Sequence, residues 1–188
     1  GSLMKKLFHK IVVALGLMGT VGAATWFYTW QYQPTLIYDV NLEQDTEPIL
    51  AVFASDSYWL DAAYDETQGK YRRMLKYGYV NDNPMYPNRL KFKVLRDQGD
   101  FIGFTAYYKT APTVGKILFV AVRSDMRGKR YGEVLMNTAI KELKKLGAKR
   151  IELTTRVSNL AAQKLYIRIG FKETARDDEY VHFAYTPA

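Results

Sequence analysis

Between Leu90 and Asp97 apolar and polar side chains alternate, with Leu90, Phe92 and Val94 on one face and Lys91, Lys93 and Leu95 on the other. A period of two is the signature of a strand. Gln98-Gly99-Asp100 predicts a turn, residues 101–109 a second strand and residues 110–115 a connection. Residues 116–123 are more continuously apolar, as a central strand buried on both faces should be. Then the period lengthens. Tyr131, Val134, Leu135, Thr138, Ala139 and Leu146 fall on one helical face, with Lys129, Glu133, Asn137, Lys141 and Lys144 on the other. This predicts an amphipathic helix over about 129–146, ended by Gly147 as a C′ residue. A strand at 150–156, a helix at 159–169 and strands at 171–176 and 180–186 follow.

Upstream, residues 36–40 predict a first strand. Asp45 or Thr46 can cap a helix that has Pro48 in its first turn and carries Ile49, Leu50, Val52 and Phe53. A further helix is predicted over 68–77, and 78–88 is rich in turn residues. Strands, helix, strand, helix, strands make an α/β (α+β) chain: one mixed, mostly antiparallel sheet flanked by helices.

The N-terminus changes the picture. Lys5, Lys6 and Lys10 precede an uncharged stretch over 11–30 that ends in Trp26, Phe27, Tyr28 and Trp30. About 20 apolar residues span a bilayer, and aromatic rings favour its interface. The domain expectation is therefore a remnant at 1–3, a membrane anchor or signal-anchor helix at 4–30, a linker at 31–34 and a folded domain at 35–188. A cleaved signal peptide with a site near Val21-Gly22-Ala23 and a soluble helix packed on the domain are the other two readings. The expected localisation is membrane-associated. The lysine bias puts the domain outside, opposite to the cytoplasmic placement also expected for it.

Composition narrows the chemistry. The chain has 188 residues, no cysteine and two histidines, His9 and His182, far apart in sequence. Thiolate chemistry is excluded, and no metal is expected. The net charge of +8 favours anionic partners. A nucleic-acid or anionic-lipid surface built from Lys141, Lys144, Lys145, Lys149 and Arg150 is a weaker alternative to a solvated helix face, and no nucleic acid is expected as partner.

Two blocks carry candidate chemistry. The first is Arg127-Gly128-Lys129-Arg130-Tyr131-Gly132, which joins the apolar strand to the amphipathic helix. Unpartnered N–H groups and the helix dipole make such an end an anion site, and the basic side chains suit a pyrophosphate. A basic turn with glycines for geometry alone is the other reading. The second block is Asn159-x-x-Ala162-x-x-Leu165-Tyr166-x-x-x-Gly170-Phe171. Tyr166 is either a half-buried core aromatic or a proton donor to a leaving thiolate.

In this order and spacing the two blocks resemble the GNAT superfamily of acyl-CoA-dependent N-acyltransferases. Arg127 and Gly132 match its Gln/Arg-x-x-Gly-x-Gly/Ala loop, Arg130 replaces the middle glycine, and the block from Asn159 to Phe171 matches at every named position. The resemblance covers roughly residues 90–186. It implies a GNAT-like fold with acyl-CoA held between two splayed parallel strands, 116–123 and 150–156. Backbone groups of Phe119, Val120, Ala121 and Val122 would meet the pantetheine arm. Arg127, Gly128, Lys129, Arg130, Tyr131 and Gly132 would hold the pyrophosphate, Asn159 would contact the cofactor, and Tyr166 would protonate the leaving thiolate. The implied enzyme transfers acetyl from acetyl-CoA to a primary amine by direct attack. The alternative is a non-catalytic acyl-CoA-binding or sensing module held at a membrane. No acid lies in 116–122 to serve as general base, and the aromatics between Tyr58 and Tyr108 suit an apolar acceptor wall or ordinary core.

Overall fold

A computed structural model describes residues 35–61, 65, 67, 69–85 and 89–187. In chain order the elements are β1 (Leu36–Asp39), α1 (Leu42–Ser55), α2 (Ser57–Leu60), α3 (Lys70–Tyr77), β2 (Lys91–Asp97), β3 (Asp100–Ala111), β4 (Val114–Val122), α4 (Tyr131–Lys145), β5 (Arg150–Arg156), α5 (Leu160–Ile169), β6 (Lys172–Arg176) and β7 (Tyr180–Tyr185). The strands form one sheet in the order β1-β2-β3-β4-β5-β7-β6. Among the described residues only β4 and β5 pair in parallel. This is the mixed, mostly antiparallel sheet that the hydrophobic pattern predicts.

The two faces of the sheet are covered differently. On the front, Phe92, Val94, Phe104, Ala106 and Phe119 pack against Ile49 and Phe53 of α1 and Tyr71 of α3. On the back, Ile117, Ile151, Leu153, Val181 and Phe183 pack against Met136, Ile140 and Leu143 of α4, with Leu165, Tyr166 and Ile169 of α5 joining them. The expected inward face of α4 is therefore rotated. Leu135 and Ala139 are buried, but Val134 and Leu146 are exposed, and Met136, Ile140 and Leu143 take the core positions.

Helix α1 begins four residues earlier than its candidate caps predict. Asn41 is the cap, and its Oδ1 accepts from the amides of Glu43 (3.0 Å) and Gln44 (3.3 Å). Asp45 is instead fully buried. It accepts from Arg96 Nη2 at 2.7 Å, from the Tyr38 hydroxyl and from the Asn41 amide, and so bolts α1 to β1 and β2. Pro48 lies within the helix and leaves the Gln44 carbonyl without its helical donor; Arg96 Nη2 approaches that oxygen at 3.5 Å.

The expected membrane-associated localisation is corrected. Among the described residues no helix is long and apolar enough to cross a membrane. The longest, α4, has 15 residues. At about 1.5 Å per residue it falls short of the roughly 30 Å hydrocarbon core. The expected anchor at 4–30 and linker at 31–34 lie outside the described residues, as do Tyr64 and Tyr86 of the expected acceptor wall.

Two close approaches shape the middle of the sheet. The register between β3 and β4 shifts between Ala106/Phe119 and Tyr107/Ile117, so Leu118 is an extra residue on β4 that bends the strand. Gly103 of β3 pairs with Val122, and a Cβ there would stand 2.2 Å from the Ala121 carbonyl oxygen. That oxygen is backbone and can yield only by moving β4. Gly103→Ala is expected to lower stability by about 1–3 kcal/mol, read as a lower urea midpoint at unchanged slope.

Candidate functional site

The parallel register of β4 with β5 covers Val114–Lys116 against Arg150–Glu152. Beyond it the strands diverge, and a cleft of about 860 Å³ opens on that side. Val120, Ala121 and Val122 form one wall. The loop between β4 and α4 forms the next, through Met126, Arg127, Gly128 and Arg130, and α4 adds Tyr131, Gly132 and Glu133. Asn159, Ala161, Ala162, Leu165, Tyr166 and Arg168 close it from α5 and its cap. A third side comes from Asp56, Trp59 and Leu60 at the α1–α2 corner.

The loop geometry follows from its sequence. Gly128 has φ +81° and Arg130 φ +65°, so both hold left-handed backbone immediately before α4. The middle-glycine position of the motif thus needs a conformation that glycine adopts freely, and here arginine adopts it at about 1–2 kcal/mol of local cost. Arg130 Nη2 lies 3.1 Å from Glu133 Oε2, and Arg168 reaches the same oxygen at 3.5 Å. A Cβ on Gly132 would meet Leu165 Cδ2 at 3.3 Å, so the bare backbone there lets α4 and α5 approach. Three guanidinium groups, Arg127, Arg130 and Arg168, line the cleft against two carboxylates, Asp56 and Glu133. Together with the N-terminus of α4 they give it an anion-attracting end.

Arg127 does more than line the cleft. Its Nε donates to the Val122 carbonyl at 3.1 Å and its Nη2 to Asp56 Oδ2 at 2.5 Å. It therefore fastens the end of β4 to the corner between α1 and α2. Asn159 Oδ1 accepts from the Ala162 amide at 3.3 Å, so Asn159 caps α5 while facing the cleft.

Tyr166 is half-buried and lines the cleft from the back face. Its ring meets Phe183 edge-on at 5.7 Å and Phe171 at 6.2 Å. Burial pushes its hydroxyl up to about 12, against a smaller opposing effect of its hydrogen bond with Thr155. The group therefore holds its proton throughout the physiological range.

Of the residues singled out in the sequence, Val120, Ala121, Val122, Arg127, Gly128, Arg130, Tyr131, Gly132, Asn159 and Tyr166 converge on this cleft. Phe119 and Lys129 do not line it. The Phe119 ring packs edge-on against Phe53 at 5.0 Å, and its carbonyl accepts from the buried Thr105 hydroxyl at 3.0 Å. Lys129 Nζ lies 3.9 Å from Met126 Sδ. The Tyr131 hydroxyl donates to Asp97 Oδ2 at 2.5 Å, which holds that carboxyl below its ordinary range. The lining residues given no cofactor role in the sequence are Asp56, Trp59 and Leu60, which meet the loop only through tertiary folding, Met126, Glu133 and Arg168 on its rim, and Ala161, Ala162 and Leu165 of α5.

The comparisons with known proteins agree with this geometry. YvbK, an uncharacterized N-acetyltransferase of Bacillus subtilis, is 33% identical over 81 residues, 43% of this chain and 52% of its own length. The match thus spans about half of that relative. The aminoalkylphosphonate N-acetyltransferase of Salmonella typhimurium is 27% identical over 111 residues, 56% of this chain and 67% of its own length. The PaiA N-acetyltransferase of Thermoplasma acidophilum, solved in complex with coenzyme A, superposes with a TM-score of 0.62 at 19% identity, over 82% of this chain and all of that one. Residues 53–171, which carry the splayed strands, the left-handed loop and the α5 tyrosine, match the acetyltransferase (GNAT) family, and the chain belongs to it.

Proposed function

We propose that the chain transfers the acetyl group of acetyl-CoA to a primary amine by direct attack. The observation that carries the reading is the parting of β4 from β5 beyond Lys116 and Glu152, with the left-handed basic loop at one end of the gap and Tyr166 beside it. The donor set fits coenzyme A. The β5-facing edge of β4 offers backbone groups to an amide-bearing arm, and Arg127, Arg130 and the first amides of α4 offer donors to a pyrophosphate. Bound acetyl-CoA supplies a thioester whose acyl carbon is open to an amine. Tyr166, neutral because its hydroxyl is buried, delivers a proton to the sulfur as it leaves. The walls of the cleft keep bulk water from competing with the amine.

Titration calorimetry of acetyl-CoA into the purified protein tests the reading. Micromolar binding is expected, and Arg127→Glu is expected to weaken it about 10-fold or more, the value of one charge-assisted contact. A thermal melt of the variant separates this effect from unfolding, since Arg127 also fastens Asp56. No binding to the folded protein, or unchanged affinity in the variant, overturns the proposal. Thiol release from acetyl-CoA across a panel of primary amines then seeks the acceptor. Aminomethylphosphonate belongs in that panel because of the activity named for the Salmonella relative.

A further inference from the structure

The front face of the sheet is covered by α1 and α3 over β2–β4. Over β5 and β7, by contrast, the front-facing positions Glu152, Thr154, Arg156, His182 and Tyr180 are polar and partly exposed, and only Ala184, opposite Glu152, is apolar and buried. Helix α2 walls this shelf at one end, where Arg156 Nε donates to the Tyr58 carbonyl at 2.7 Å and the guanidinium stacks on the Tyr58 ring at 4.6 Å. Thr154 stands two residues beyond the last parallel pair, Lys116 with Glu152, and so borders the gap between β4 and β5. Its neighbour Thr155 points to the back and bonds Tyr166. The leaving-group proton thus lies behind the sheet, and Thr154 faces the opposite side, from which an amine can approach.

Thr154 Oγ1 lies 3.1 Å from His182 Nδ1 on the adjacent strand. On the far side of the imidazole, Nε2 faces Asp177 Oδ2 at 3.9 Å. The other Asp177 oxygen is fixed by the amides of Glu179 (2.8 Å) and Tyr180 (2.7 Å), contacts that also hold this carboxyl below its ordinary range. Hydroxyl, imidazole and anchored carboxylate form a line leading away from the gap. The charged neighbours on this face leave His182 its own role. Glu152 is paired with Arg150 at 2.7 Å, Arg156 with Glu179 at 2.7 Å, and Lys116 on β4 and Lys172 on β6 are cations unable to accept a proton. Tyr180 flanks Arg156. His182 is the one imidazole of the shelf, and its Nδ1 faces the Thr154 hydroxyl.

We propose that Thr154, His182 and Asp177 are a proton relay that deprotonates the acceptor amine. The proposal rests on the acetyl-transfer reading given above. As the amine nitrogen bonds to the acyl carbon and the bond from that carbon to sulfur breaks, Thr154 Oγ takes a proton from the nitrogen and passes its own to His182 Nδ1. Tyr166 gives its proton to the sulfur. The imidazolium, steadied by Asp177, later returns a proton to solvent and Tyr166 regains one, so the net change is amine plus thioester to amide plus thiol.

Two readouts on the full chain test the relay. Imidazole nitrogen NMR with saturating acetyl-CoA is expected to find His182 protonated at Nε2 and bare at Nδ1, with the Nδ1 signal moving in Thr154→Val. Protonation at Nδ1 in the neutral enzyme overturns the relay even if no amine is ever turned over; that second failure, by itself, would overturn the acetyl-transfer reading. With aminomethylphosphonate, or whichever panel amine is acetylated, His182→Gln is expected to lower kcat about 100-fold at unchanged acetyl-CoA affinity. Added imidazole should restore part of the rate. A variant that keeps the parent kcat overturns the proposal.

Discussion

Tyr166→Phe is expected to lower kcat about 1000-fold while acetyl-CoA affinity stays within about twofold. Losing a positioned acid removes a factor of about 10² to 10⁴, whereas the ring that packs against Phe171 and Phe183 survives the change. The middle of that range is expected, since Tyr166 is half-buried on the cleft wall. The sign with pH follows from burial. The acid form persists until pH approaches about 12, so Tyr166 contributes no alkaline fall in rate between pH 7 and 10. Calorimetry and single-turnover thiol release on the two proteins check both halves of the expectation. Equal rates would mean that Tyr166 only packs and that another group protonates the leaving sulfur. A variant that no longer binds acetyl-CoA would mean that the hydroxyl is a binding group instead.

What the sequence makes legible follows the range of the forces involved. Strand β5 has the bounds its alternation predicts, because each residue's burial is decided by its immediate neighbours in a two-residue repeat. The block ending in Gly170 and Phe171 reads correctly for the same reason: the Asn159 cap, the α5 stripe and the left-handed Gly170 are all local. The face of α4 reads less well. A stripe anchored on Tyr131 and Val134 is plausible at helical spacing, but the core of β3, β4 and β5 selects Met136, Ile140 and Leu143 instead. The cap of α1 is missed because Asp45 is claimed by Arg96, 51 residues away. The side of the cleft built from Asp56, Trp59 and Leu60 has no local signal at all, since Asp56 meets Arg127 across 71 residues. Outside the cleft, Thr154 meets His182 only once the register of β5 with β7 is set. Motifs announce the loop and the tyrosine, while the acceptor side is written in tertiary contacts.

Phe53→Ala is expected to cost about 3–5 kcal/mol, the range for truncating a buried phenylalanine. Phe53 is 1% exposed, and its ring meets Tyr71 at 4.6 Å, Phe119 at 5.0 Å and Phe104 at 5.4 Å. One side chain thus joins α1, α3, β3 and β4. The sheet cannot collapse into the space, because β3 and β4 are held in register on either side of Phe104 and Phe119. A fall in Tm of roughly 10 °C is expected for a domain of this size. Phe53→Leu keeps most of the volume and is expected to lose under about half as much. The cleft should feel the change before the whole domain unfolds. Asp56 sits three residues further along at the end of α1, so loosening that helix weakens its bond to Arg127 and frees the end of β4. Acetyl-CoA is then expected to raise the Tm of Phe53→Ala by less than it raises that of the parent at the same concentration. Equal shifts would show that the loop and β4 hold their shape without α1, and that the Arg127–Asp56 contact follows the site instead of supporting it.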